Sequence, residues 1–245
     1  RIYLCRIVTH DFFFFTRLGF GDTKTPEYIG NYALMYSLNR LIPLVQRNAS
    51  GTKPYYTEDI PKFKIYATPA TPAEQDRVFR IDGSSFNWRS AGKVMITYNS
   101  VNTVSNTTSY AKTDPRAKMN FPLLGRKERD PPLTCYQFYA IGGEPQQLVR
   151  LGKKMTAVRI TSEPLFIQRH NDGGFEPSHP INPSDVSAEI IEGTLFPQFP
   201  PLILGAKMKG EHYICLDSHN KKHIVAMPKK DLYTGVDFPN VEIKT

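Results

Sequence analysis

The sequence predicts an α+β fold, rich in strands and interrupted by long insertions. Three observations predict it. The chain opens in the order strand, loop, helix. Segments 133–160 and 213–227 are dense in short β-type runs. Between the two halves lies a polar stretch, 97–113, in which eleven of seventeen residues are Ser, Thr or Asn.

Ile2 to Val8 (IYLCRIV) is apolar and β-rich and reads as the first strand; Phe12 to Phe15 either extends it or packs just beyond it. Gly19, Gly21 and Pro26 mark a loop over 16–26. In EYIGNYALMYSLNRLIPLV the residues Tyr28, Ile29, Tyr32, Ala33, Tyr36 and Arg40 recur at three- and four-residue spacing up to Pro43. That spacing predicts a helix of about four turns, with Thr25 as N-cap and Pro26 in its first turn. Residues 46–62 read as a polar loop holding Tyr55 and Tyr56. Phe63–Thr68 reads as a short strand ended by Pro69 and Pro72, and Arg77–Ile81 as another. Lys93–Tyr98 has strand character, and the polar stretch that follows cannot fill a core, so it projects as a hairpin or loop. Leu133–Ile141 is a strong strand, Gly142-Gly143 a turn, and Gln147–Leu151 and Met155–Ile160 two strands around Gly152-Lys153-Lys154. Residues 171–185 read as a turn-rich connection. Tyr213–Leu216 and His223–Met227 form a terminal hairpin around 217–222.

With 245 residues the chain can bury a sizeable core, and 12% aromatic content argues against a wholly disordered protein. A mean hydropathy of −0.39 and the lack of any long apolar run argue against a membrane span, so no membrane association is expected. Three scattered cysteines, Cys5, Cys135 and Cys215, form no disulfide framework and point to a reducing cytoplasmic setting. The net charge is +8. It is unevenly spread: +3 over 1–83, +5 over 84–133, +3 over 134–170 and −3 over 171–245. The basic middle suits a polyanion surface; the alternative is a solvated face without a partner.

No phosphate-cradling glycine signature, metalloprotease helix motif or cysteine pair motif is present. Cys215, His219 and His223 are spaced by four, but Lys221 and Lys222 stand beside them and no further Cys pair completes a tetrahedral set; neither a metal nor a cofactor is expected. Cys215 is read as buried and the two histidines as surface residues. A metal-independent ribonuclease needs a general base and cations on the phosphate. His10, at the end of the first strand, is the best candidate base, while His170 and His179 look less constrained in the turn-rich connection.

Features suited to nucleic acid are more numerous. Trp88, Arg89 and Lys93 precede the polar stretch, Tyr98, Tyr110 and Lys112 flank or lie within it, and Arg126, Lys127 and Arg129 follow. Cations neutralise phosphates and rings stack on unpaired bases, so their interleaving suits a single strand. Arg150, Lys153 and Lys154 surround Gly152, where exposed backbone amides can receive a phosphate; the alternative is an ordinary basic turn.

Five segments together resemble the CRISPR-associated Cas-five family in its Csc-one form, from type I-D Cascade: IYLCRIVTHDFFFF, EYIGNYALMYSLN, YYTED with IYATPATP, LVRLGKKMTAVRI, and HPINPSD. The resemblance implies one domain over 1–245 with a ferredoxin-like (RRM-like) RNA-binding fold. It implies a long β-hairpin thumb, mapped to 84–133, and a strand-rich C-terminal part over 171–245. It further implies a non-catalytic Cascade subunit that caps the 5′ handle of the CRISPR RNA. Such a subunit contacts a Cas-seven-like backbone subunit and a Cas-ten-like large subunit, and lies near target DNA at the protospacer-adjacent motif. Arg150, Lys153 and Lys154 become handle contacts; Asn31 and Tyr32 become handle or packing residues; Arg17 and Lys24 are weaker candidates. The competing function is an endoribonuclease that processes precursor CRISPR RNA.

Overall fold

The computed structural model describes residues 1–13, 27–39, 56–73, 79–81, 84–86, 94–98, 125–130, 132–152, 156–198 and 200–244. In chain order the elements are β1 (Ile2–Thr9), α1 (Asn31–Asn39), α2 (Tyr56–Asp59), a 3-10 turn (Ile60–Lys62), β2 (Tyr66–Ala67), β3 (Thr71–Pro72), β4 (Phe79–Ile81), β5 (Ser84–Phe86), β6 (Val94–Tyr98) and β7 (Gly125–Arg129). Then come β8 (Cys135–Ile141), β9 (Leu148–Leu151), β10 (Thr156–Pro164), β11 (Phe166–Phe175), β12 (Glu189–Phe196), β13 (Leu202–Leu216), β14 (Lys222–Ala226) and β15 (Ile243–Lys244). The strand-rich α+β reading holds.

The first sheet runs in the order β2–β8–β1–β10–β9, with β3 also on β8 and every neighbouring pair antiparallel. Two antiparallel steps make β1 and β2 parallel to one another, separated by β8 and connected through α1. The strands alternate. Ile7 stands opposite both Tyr136 and Ile160, and all three are buried in one cluster with Leu34, Met35 and Leu38 of α1. The neighbouring positions of β1 face the other way, and there Arg6 is exposed.

Helix α1 starts later than the spacing predicted. Ile29 and Ala70 exchange both backbone hydrogen bonds, at 3.1 and 2.9 Å, so the chain is still extended at residue 29. The helix begins at Asn31; Thr25 and Pro26, the expected cap and first-turn residues, lie outside the described residues. At its end Asn39 donates to the carbonyls of Met35 and Ile65 and accepts from the amides of Lys64 and Ile65. One side chain thus closes the helix and fixes the approach to β2. The predicted continuation beyond Asn39 lies outside the described residues. In the segment read as a loop, Tyr56–Lys62 is helical, and the strand expected over Phe63–Thr68 shrinks to two residues.

The second sheet has the order β12–β13–β11–β15, with β14 also on β13. Here the sequence reading needs correction: residues 171–175 belong to β11, not to a turn. Gly173 and Gly210 stand opposite each other with φ of 151° and 146°, and a Cβ on Gly210 would meet Ala188 at 2.8 Å. Gly173 and Gly174, which resembled turn signals, lie inside the strand with open space where a Cβ would stand, and the close approach is that of Gly210 to Ala188. β13 is likewise fifteen residues long, where only its last four were read as strand.

Candidate nucleic-acid interface

Two short antiparallel ribbons, β4–β5 and β6–β7, fall within or beside the segment 84–133. In β6–β7 the backbone of Val94 pairs with Arg129, Ile96 with Lys127, Thr97 with Arg126 and Tyr98 with Gly125. The register brings Tyr98, Arg126, Lys127 and Arg129, four of the residues singled out, onto one ribbon. The residues that connect its strands include Tyr110 and Lys112, which lie outside the described residues, as do Trp88, Arg89, Lys93, Arg17, Lys24, Lys153 and Lys154. The ribbon is rooted at Asp130. Its backbone exchanges hydrogen bonds with Phe13 at 2.9 and 3.1 Å, and its buried carboxylate accepts the Tyr136 hydroxyl. That root lies just past the end of β1.

Arg150 is exposed on β9, and its carbonyl accepts the Ser37 hydroxyl of α1 at 2.7 Å. Gly152 begins the turn into β10 with φ of 78°, a left-handed conformation that favours glycine. The strand that leads into Gly152 is therefore held by the helix through Ser37 and by the β9–β10 register, Arg150 opposite Ala157.

Asn31 and Tyr32 are not brought to that turn. Asn31 is fully buried, and its amide donates to Asp185 Oδ2. The Tyr32 hydroxyl donates to Asp185 Oδ1 at 2.9 Å, and Tyr233 donates to the same oxygen at 2.7 Å. Asn182 donates to Asp185 Oδ2 and to Asn31 Oδ1, each at 3.0 Å. Burial raises the Asp185 carboxyl above its ordinary range, while hydrogen bonds from Tyr233, Asn31 and Tyr32 and the charge of Lys229 pull it back. Of the two roles open to Asn31 and Tyr32, the contacts are those of packing. The cluster joins α1 to the HPINPSD segment, with Asn31 and Asp185 154 residues apart in the chain. Asp185 was the residue that reading missed; an Asp in a polar turn carries no local sign of burial.

The histidines also need correction. His223 is buried, not a surface group, whereas His219 is exposed as expected; His170 on β11 and His179, which looked less constrained, are buried too. His223 Nε2 lies 3.1 Å from Asp217 and its Nδ1 lies 2.8 Å from the Tyr139 hydroxyl. The carboxylate can only accept, so Nε2–H donates to Asp217 and Nδ1 accepts from Tyr139. This resembles a proton relay, but both Tyr139 and His223 are sealed from solvent, and burial pushes the phenol up to about 12. Its effect is to tie β8 to the β13–β14 turn. Burial also pushes the Cys215 thiol up to about 12, and the Cys5 thiol is raised as well, so neither is a ready nucleophile. His10 is exposed at the end of β1, its amide bonded to the Ala157 carbonyl. Among the described residues no group of three or more His, Cys, Asp or Glu could hold a metal ion. No helix among them is long and apolar enough to cross a membrane.

With that geometry in place, comparison with known proteins assigns the class. The chain is a CRISPR-associated protein: the family model that matches it covers residues 1–235. That family is the type I-D CRISPR-associated protein Cas5/Csc1, and the chain belongs to it. Among solved structures, a CRISPR protein from Archaeoglobus fulgidus shares 10% identity at a TM-score of 0.39, with 92% of this chain and 99% of that one covered. A chain of a type IV-B CRISPR complex shares 9% identity at a TM-score of 0.32, covering 66% of this chain and 90% of its own. Neither likeness is close enough to carry an argument. No curated protein matches the chain.

Proposed function

We propose that this protein is a non-catalytic subunit of a type I-D CRISPR surveillance complex, binding and capping the 5′ handle of the CRISPR RNA. Membership of the Cas5/Csc1 family over residues 1–235 is the observation that carries the reading. The basic ribbon β6–β7 supports it as the thumb, and the Gly152 turn supports it as a phosphate seat. The first sheet supports a ferredoxin-like core, since β1, α1 and β2 with β8 between them form a split β-α-β unit. Sequence would be read by the guide, with this subunit holding RNA backbone and supporting target DNA near the protospacer-adjacent motif.

Reversing Lys153 and Lys154 to Glu should weaken binding of handle RNA and flatten its salt dependence. Fluorescence anisotropy over a salt series checks this; unchanged affinity and slope would remove the turn from the site. Denaturing gels with repeat RNA test the non-catalytic assignment. Specific metal-independent cleavage that His10→Ala abolishes would install the endoribonuclease reading instead.

The Cas-seven-like backbone subunit and the Cas-ten-like large subunit are the protein partners of this proposal. Strand β12 supports one contact: it is the edge of the second sheet and carries Ile191 and Leu195 at 64% and 62% exposure. Ile191→Asp with Leu195→Asp should leave the urea midpoint of the isolated protein unchanged and lower its recovery in the assembled complex. Full recovery in a co-purification would place the protein contact elsewhere.

A further inference from the structure

The second sheet has two unlike faces. Its inner face packs into the main core through Tyr213, Cys215 and Val225, all fully buried. Its outer face is covered along only half of its length. There Phe175, Met208 and Ala226 are buried together with Ile181 and Val186 in an apolar cluster of their own. Beyond them come two open rungs. Arg169 of β11 stands opposite Ile214 of β13, and Ile214 opposite Ile224 of β14; Phe166 stands opposite Leu216, and Leu216 opposite Lys222. Opposite partners share a face, and positions two apart, such as Ile214 and Leu216, share it as well. Phe166 and Arg169 are three apart, but Gln168 is the extra residue of a bulge and brings both to one side. Ile214, Leu216 and Ile224 are half-buried, Phe166 is 70% exposed, and Arg169 and Lys222 are exposed at opposite corners.

This open half has an apolar centre and a cationic rim. Neither rung carries an acid. Of the acids at its border, Asp217 accepts the amides of His219 and Lys221 at 2.9 and 2.8 Å, which fixes the turn before Lys222. Glu163 accepts the Ser218 amide at 2.7 Å and ties that turn to the chain just before Phe166. Glu242 precedes the Ile243 that pairs with His170, which sets it level with Arg169, yet among the described residues the two form no ion pair. The three strands span about 10 Å, the width of one α-helix. Two features disfavour nucleic acid here. The two rungs hold a single aromatic ring, and residues 171–245 carry a net −3 that repels a polyanion. A protein segment with one carboxylate for each corner avoids that repulsion and covers the apolar centre.

We propose that the open half of this face docks an amphipathic helix of a partner protein. The apolar stripe of the helix lies on Phe166, Leu216 and Ile214, and a carboxylate on each flank meets Arg169 and Lys222. The surface lies at the other end of β13 from β12, and it does not depend on the nucleic-acid reading.

The test is fluorescence anisotropy with the full-length protein and a labelled peptide of about 18 residues, long enough to form a helix, with leucines at helical spacing and glutamates on both flanks. A twin peptide carries lysines in place of the glutamates. The wild type should bind the acidic peptide and not the twin. Phe166→Ser should weaken binding roughly tenfold or more, and Arg169→Glu with Lys222→Glu should reverse the preference between the peptides. Matching melting curves show that the variants fold. Wild-type binding to neither peptide, or to both alike, overturns the proposal, as does unchanged affinity in Phe166→Ser. If the wild type ignores the acidic peptide but binds labelled oligouridine RNA, and the charge reversal abolishes that binding, the face belongs to nucleic acid and the docking proposal is wrong.

Discussion

Replacing Asp185 with alanine is expected to lower the unfolding free energy by about 3–5 kcal/mol, the largest stability effect of any single substitution considered for this chain. The carboxylate is fully buried and takes hydrogen bonds from Asn31, Tyr32, Tyr233 and Asn182. Each buried donor left unpaired costs about 1–3 kcal/mol, and water entering the space recovers part of the total. Asp185→Asn should cost less. The amide nitrogen can turn toward the two tyrosine hydroxyls, which can accept as well as donate, whereas the Asn31 and Asn182 amide nitrogens can only donate. Urea unfolding at neutral pH checks both. An Asp185→Ala midpoint close to wild type would show that the cluster does not hold α1 to the C-terminal part. The aromatic layer around it makes that outcome unexpected: Tyr66 and Tyr233 pack at 4.9 Å, as do Tyr32 and Tyr56.

Acid should destabilise the protein through His179. The ring accepts the Ala226 amide at Nε2, 3.2 Å away, and its Nδ1 lies 2.8 Å from the Pro180 carbonyl, so the neutral tautomer with the proton on Nδ1 fits. A second proton on Nε2 would point at the Ala226 N–H. Burial accordingly lowers the pKa from 6.5 to about 4. A folded value below the unfolded one means that the contribution to stability is whole above pH 6.5. It drains away as pH falls toward 4, by roughly 3 kcal/mol at 1.36 kcal/mol per unit. Asp185 acts in the opposite sense: its raised value gives a contribution that is whole below its unfolded value and lost as pH rises through its folded one. The two are separated by His179→Met. That variant should be weaker at pH 7, through the unpaired Ala226 amide, yet lose less between pH 6.5 and 4. Parallel pH profiles for variant and wild type would exclude His179 as the acid-sensitive group.

The strands that were legible in the sequence were those whose own residues announce a pleated, half-buried surface. IYLCRIV and LTCYQFYAI are continuous β-type runs, and they became the adjacent strands β1 and β8. The terminal hairpin was legible for the same reason, with a polar turn between two apolar runs. Where a residue's role depends on a distant partner, local pattern misled. Gly173-Gly174 resembles a turn until Gly210 is opposite, and His179 looks unconstrained until its ring accepts the Ala226 amide. Phe166 and Arg169 attracted no notice as residues of opposite parity. Only the bulge at Gln168 puts them on one face.

The sequence by itself determined the class of fold, the positions of the main strands, the concentration of positive charge in the middle of the chain, and, through five matching segments, the family. These depend on composition and on side-chain periodicity within a dozen residues. The tertiary structure alone decided which polar residues are buried and which cations share a face. Both are set by contacts between segments far apart in the chain: Asp185 beneath α1, His223 beneath Tyr139, and Arg169 and Lys222 at the corners of one three-stranded face. Burial and facing belong to pairs of segments, and a single segment does not contain its partner.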